Sequence, residues 1–268
     1  MAAAPAAGLC SGAGWKLRLS TSSIQFMRLP IEKACERIAA LGFEAIDIWS
    51  AHAGCPHLDD VQTRLGAAGL SELLAKHRLK LCGFSVYTGG YPKYAELLGQ
   101  VGGGLAIRGS DKALGDGENM TARMKSFLET LKPELGLCEQ FNGCLCIENH
   151  GNALLDSLDS FKAFVDLNTH PRLGIALAPF HLQRSGISIP GAIAVAGQQL
   201  RFFYAWQNAE GLGQLPGHGP ADFGPWLQAL RQQNYGGYIN PFMHHEPEPD
   251  VMSQALKVAK DALIQQAG

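Results

Sequence analysis

A single (β/α)8 barrel is the fold class this chain predicts, on three observations. Extended and helical signals alternate eight times from Lys16 onward, no linker or composition shift interrupts them, and 268 residues suit one such barrel. The barrel domain is expected over residues 16–268. The Ala/Gly-rich stretch before it, residues 1–15, lacks hydrophobic periodicity and reads as a disordered or leader segment.

The elements follow in order. Residues 17–26, rich in Ser and Thr, read as the first strand, and 30–41 as the first helix, with Pro30 suited to its first turn and Gly42 to its end. Residues 45–49 form a short second strand. The helix over 59–77 starts at Asp59, a natural cap, and carries Leu65, Leu70, Leu73 and Leu74 as an apolar stripe. A third strand over 79–87, a short helix over 94–98 and a fourth strand over 104–108 come next. The amphipathic helix over 118–140 is expected to bend near Pro133. The second half repeats the alternation: strands over 143–149, 173–178, 201–207 and 237–243, helices over 158–167, 190–196, 222–233 and 250–266.

Composition narrows the function. A formal charge of −2 gives no broad positive field, which argues against nucleic acid as a partner. No apolar run reaches the roughly 20 residues that span a bilayer, which argues against a membrane partner. Seven cysteines cannot all pair, no Cys-x-x-Cys occurs, and buried free thiols are expected. The cytoplasm is the favoured compartment, and the leader-like start leaves export open. Homo-oligomerisation is compatible with the sequence. No phosphate-binding Walker motif or nucleophile elbow occurs, and Gly102, Gly103 and Gly104 precede a strand instead of opening a helix.

Chemistry in such a barrel sits at the carboxyl ends of the strands. The stretch 144–151, CLCIENHG, is an apolar strand ending in acid, amide and imidazole, and alternation puts Cys146, Glu148 and His150 on one face. A buried carboxylate there needs a cation, a metal or donors, so Glu148 is the first catalytic candidate; capping the next loop is the plainer alternative. His181, just after the sixth strand, can relay a proton, bind a hydroxyl or ligate a metal. Trp49, sharing a face with Asp47, is either a stacking platform for a sugar ring or a core aromatic. Arg108 can hold a phosphate or carboxylate, or pair with an acid such as Asp47. Tyr87 and Gln207 are rim candidates for substrate binding. His218 lies between glycines that permit close backbone approach. Of the adjacent His244 and His245, at most one is expected to face a site.

The chain resembles the xylose isomerase-like barrels of the sugar phosphate isomerase/epimerase superfamily over residues 16–266. The resemblance rests on 41–49 (LGFEAIDIW), on 147–150 (IENH), on 174–181 and on the stretch from Gly217 through 235–238 (YGGY). It implies a small-molecule carbohydrate as partner and one divalent metal as cofactor. That metal is held by a Glu on strand five, an Asp on six, a His on seven and a Glu on eight. By position these are Glu148, Ala178, Ala205 and Phe242; only the first has a lone pair to give. The resemblance thus implies a sugar isomerase or epimerase whose metal site is degenerate.

Three readings follow: acid–base proton transfer on a carbohydrate or polyol, with Glu148 and His181 catalytic; a non-catalytic carbohydrate-binding barrel; and a metal-dependent isomerase with histidines as relocated ligands.

Overall fold

Each strand is returned to its starting end by a helical crossover, so neighbouring strands pair in parallel. The structure, a computed structural model, describes residues 15–268. Its strands are β1 (Ser20–Ser22), β2 (Ala45–Trp49), β3 (Lys80–Ser85), β4 (Gly104–Gly109), β5 (Gly143–Glu148), β6 (Leu173–Leu177), β7 (Leu200–Ala205) and β8 (Ile239–Pro241). They form one eight-stranded sheet in sequence order. A parallel bridge between Leu19 and Ile239 closes it, reinforced by the Thr21 hydroxyl donating to Pro241 O at 3.0 Å. The single (β/α)8 barrel stands.

The helices are α1 (Ile31–Ala40), α2 (His57–Asp60), α3 (Gly66–His77), α4 (Gly90–Gln100), α5 (Met120–Thr130), α6 (Lys132–Gln140), α7 (Leu158–Leu167), α8 (Pro179–Arg184), α9 (Ile189–Ala196), α10 (Gly224–Gln232) and α11 (Pro249–Ala267). Among the described residues, no helix is long and apolar enough to cross a membrane.

Alternation along the strands makes two cores. Ile46, Ile48, Phe84, Leu145, Ile175 and Phe203 face the helices. Trp49, Ile107, Cys146, Ala176, Tyr204 and Phe242 fill the barrel. Two bulges interrupt the register. Between β2 and β3, Ile46 and Asp47 face Leu81 and Gly83, leaving Cys82 extra; between β6 and β7, Ile175 and Ala176 face Leu200 and Phe202, leaving Arg201 extra.

Several boundaries differ from expectation for local reasons. The first strand stops at Ser22 and coils into a 3-10 turn, where the Ser23 hydroxyl accepts the Trp49 backbone N–H at 3.0 Å. The helix expected over 118–140 breaks at Leu131 and restarts as α6 with Pro133 in its first turn, where the missing N–H is tolerated. The helix expected over 59–77 begins at His57 and passes through a π turn, Val61–Leu65, before Gly66 (φ +63°) starts α3. Apart from Trp15, whose indole donates to Tyr235 O at 2.9 Å, the segment read as a leader lies outside the described residues. Cys35, Cys55, Cys82, Cys138, Cys144 and Cys146 are free.

Candidate functional site

At the carboxyl ends of the strands, the inward positions belong to Trp49, Tyr87, Glu148, Ala178, Trp206 and Phe242. Most of this ring is aromatic. Trp49 and Phe242 stack at 5.2 Å with an interplanar angle of 17°, closing the top of the barrel. The Trp49 Nε1 donates to Asp47 Oδ2 at 2.6 Å, and the indole is buried.

Below this lid lies a polar chain that an apolar barrel must satisfy internally. The Ser22 hydroxyl sits between Asp47 Oδ2 (2.9 Å) and Asn240 Oδ1 (3.2 Å). The Ser85 hydroxyl lies 2.9 Å from Asp47 Oδ2, and Asn240 Nδ2 donates to Ser20 Oγ at 3.0 Å. Burial pushes the Asp47 carboxyl up to about 7 even though Ser22, Ser85 and Trp49 favour its ionised form.

Glu148, at the end of β5, also faces the lumen. Burial pushes its carboxyl up to about 7; the Tyr87 hydroxyl pulls it down, and the negative charge of Asp47 pushes it further up. Tyr87 and Tyr204 hydroxyls lie 3.2 Å apart, and burial and then nearby carboxylates raise both well above the ordinary phenol range. The next residue, Asn149, is a backbone clamp: its side chain accepts Ala178 N–H at 2.7 Å and donates to Ala178 O at 3.0 Å. That clamp fixes the end of β5 against the end of β6.

At the same end of the barrel is a cavity of about 460 Å³ lined by His150, Phe180, His181, Trp206, Gln214 and His244, among others, with Glu148 and Tyr87 outside its lining. Phe180 stacks on Trp206 at 4.3 Å and 12°. His181, carried by α8, meets the His150 ring at a centroid distance of 3.9 Å and the Trp206 indole edge-on at 5.1 Å. Burial, with the like-charged states of His150 and His244 beside it, pushes His181 down to about 3. His244 is pushed down to about 4 by burial and then by His52. At neutral pH both imidazoles are therefore uncharged, each with one donor and one acceptor.

Glu148, Trp49, Tyr87, His150 and His181 thus gather at one end of the barrel. Within that end Glu148 and His181 belong to different neighbourhoods. Glu148 lies by the Tyr87 hydroxyl, whereas His181 packs against His150, Phe180 and Trp206.

Three candidates for substrate binding fall outside. Ile107 and Gly109 pair in register with Cys146 and Glu148, so Arg108 points outward and ion-pairs with Glu134 of α6. Gln207 is buried and holds the following loop, donating to Leu215 O at 2.9 Å and accepting Ala221 N–H at 2.7 Å. His218 contacts Ala255 O of α11 through Nε2 at 3.1 Å.

One register assignment also changes. Ala205 packs toward the helices, while Tyr204 and Trp206 face the lumen. The sequence reading passed over Tyr204, Trp206 and Phe180. The signal was present as aromatic residues at period two, Phe202, Tyr204 and Trp206.

The donor set does not fit a divalent metal. The inward neighbours of Glu148 at the strand ends are a methyl group, an indole and a phenyl ring, at Ala178, Trp206 and Phe242, and hard cations need several oxygen donors. Among the described residues, no group of three or more His, Cys, Asp or Glu is placed to hold a metal ion.

The family model described as xylose isomerase-like TIM barrel matches residues 35–262. A search of curated proteins returned no match. Among solved structures, the chain is similar to 3-keto-D-glucoside 4-epimerase from E. coli, with 13% identity and a TM-score of 0.70, covering 92% of this chain and 100% of that one. D-psicose 3-epimerase from Clostridium cellulolyticum H10 aligns with 16% identity and a TM-score of 0.74, covering 94% and 99%. A probable 3-DHS dehydratase from Bacillus anthracis aligns with 15% identity and a TM-score of 0.69, covering 91% and 99%. At such identities the likeness is one of fold.

Proposed function

The chain belongs to the xylose isomerase-like TIM barrel family, and from that premise we propose a sugar isomerase- or epimerase-like enzyme that moves a proton on a neutral carbohydrate or polyol without the usual metal. The observation that carries this reading is the Glu148 carboxyl, inward at a strand end and held near neutrality by burial. A group with both protonation states populated at pH 7 can take a proton from carbon and return it.

The remaining roles follow from chemistry. The Tyr87 and Tyr204 hydroxyls beside Glu148 are uncharged donors suited to an oxygen that gains negative charge as the proton leaves. The cavity offers the Phe180 ring, backed by Trp206, to the apolar face of a sugar ring, and His150, His181 and His244 to its hydroxyls. Its lining contains Glu210 and no Lys or Arg, and Arg108 is turned away, which favours a neutral sugar over a sugar phosphate. The similar solved structures named for sugar epimerases support the substrate class.

A second reading has its own support. The aromatic side chains Trp206 and Phe242 stand where metal ligands would be needed, as in a barrel that binds carbohydrate without turning it over. One experiment separates the two. The protein is incubated in D2O with a panel of ketohexoses and aldohexoses, and NMR follows both binding and exchange of the hydrogen next to the carbonyl. The enzyme reading predicts exchange on at least one sugar, falling by about 100-fold or more in Glu148→Gln. Saturable binding without exchange selects the second reading, and neither binding nor exchange overturns both.

A further inference from the structure

The opposite, amino-terminal end of the barrel holds a second cavity, of about 360 Å³, lined by residues that include Arg18, Cys82, Leu105, Leu200, Arg201 and Tyr238. We propose that this cavity binds a small organic dianion, a dicarboxylate or phosphate monoester, between the Arg18 and Arg201 guanidinium groups.

Both register bulges deliver side chains here. The extra residue of the β6/β7 bulge is Arg201, and that of the β2/β3 bulge is Cys82. Bulges re-aim side chains that a regular strand would direct elsewhere. Gly174 on β6 makes room: a Cβ there would collide with Arg201 Cγ and come within 2.6 Å of Gln199 O. The Tyr235 hydroxyl, 3.3 Å from Arg201 O, supports the bulge backbone.

Neither guanidinium is neutralised. Arg201 donates through one terminal nitrogen to Pro171 O at 3.2 Å, and its Nε is buried without a partner. Arg18 donates to Gly236 O at 2.9 Å and to the Tyr238 hydroxyl at 2.5 Å, with its guanidinium 4.0 Å over the Tyr238 ring. Among the described residues neither is ion-paired, the cavity lining has no Asp or Glu, and the sequence 1–14 contains none either. A donor without a protein partner and two unpaired cations sharing one cavity make an anion a matching guest there. Guanidinium forks match carboxylate and phosphate oxygens bidentately. The Tyr238 ring and the Leu105 and Leu200 side chains give the short apolar body of such a ligand a surface to cover.

The test is calorimetric titration of the full chain at low ionic strength with succinate and, separately, with glycerol 3-phosphate. At least one should bind saturably, and the tighter of the two identifies the head group. Binding should weaken by about tenfold or more in Arg201→Gln and in Arg18→Gln, and with added salt, while Lys132→Gln and Glu148→Gln leave it unchanged. The unmodified chain supplies an independent readout. The Arg201 Nε–H resonance should shift on titration with the bound anion, whether or not the Arg variants fold. No saturable binding of either anion by about 10 mM, binding indifferent to both Arg substitutions, or an unmoved Nε–H resonance overturns the proposal.

Discussion

Glu148 and Asp47 share one physical fact: a carboxyl group inside a barrel whose walls are mostly aromatic and aliphatic. Burial raises both to about 7, so the folded chain holds their protons more tightly than the unfolded chain does. The stability associated with Glu148 is therefore fully present at low pH and declines as pH rises from about 4.5, its ordinary value, to about 7. Glu148→Gln removes that loss. Relative to the parent chain, its unfolding free energy should rise by on the order of 3 kcal/mol between pH 4.5 and pH 8, measured by urea titration at each pH. A difference that stays flat with pH would show that the carboxyl is not buried in this way. His181 and His244 act with the opposite sign: they stay neutral when folded and draw stability down as pH falls below 6.5.

Strand register decides which side chains reach either cavity. The β6/β7 bulge sets Tyr204 and Trp206 inward, Ala205 outward and Arg201 toward the lower cavity. Gly174→Ala should strain that bulge, destabilising the chain by about 1–3 kcal/mol in denaturant titration; an unaffected midpoint would mean that the crowding around Arg201 is relieved at no cost. The alternation of elements and the shared face of Cys146 and Glu148 were legible in sequence, because period two and period 3.6 are written in apolar residues. The bulges were not, since in strands of three to six residues a one-residue shift in the alternation cannot be told from the strand's end. Arg108 shows the same limit: a six-residue strand such as β4 does not reveal which face points inward until its partner's register is known. Gln207 and His218 carried polar signals that the fold uses to hold loops and a helix.

At the scale of the whole barrel, closure is its weakest feature. The seam joins two three-residue strands, β1 and β8, through the Leu19–Ile239 bridge, whereas β4 and β5 pair over six residues. Native-state hydrogen exchange should therefore protect the Leu145 and Ile147 amides more than the Ile239 amide, which donates to Arg18 O at 2.8 Å. Equal protection around the ring would indicate a single cooperative unit without a weak seam. The barrel also separates two chemistries, an aromatic and histidine-lined pocket without Lys or Arg at one end and an unneutralised pair of arginines at the other. The account of the first rests on the ionisation of a single carboxyl group in a ring that lacks metal ligands. Infrared difference spectroscopy of the protein against Glu148→Gln, followed across pH, measures that ionisation directly. A Glu148 carboxyl band that titrates with a midpoint near 7 is the predicted result; a midpoint at the ordinary glutamate value of about 4.5 would contradict the account.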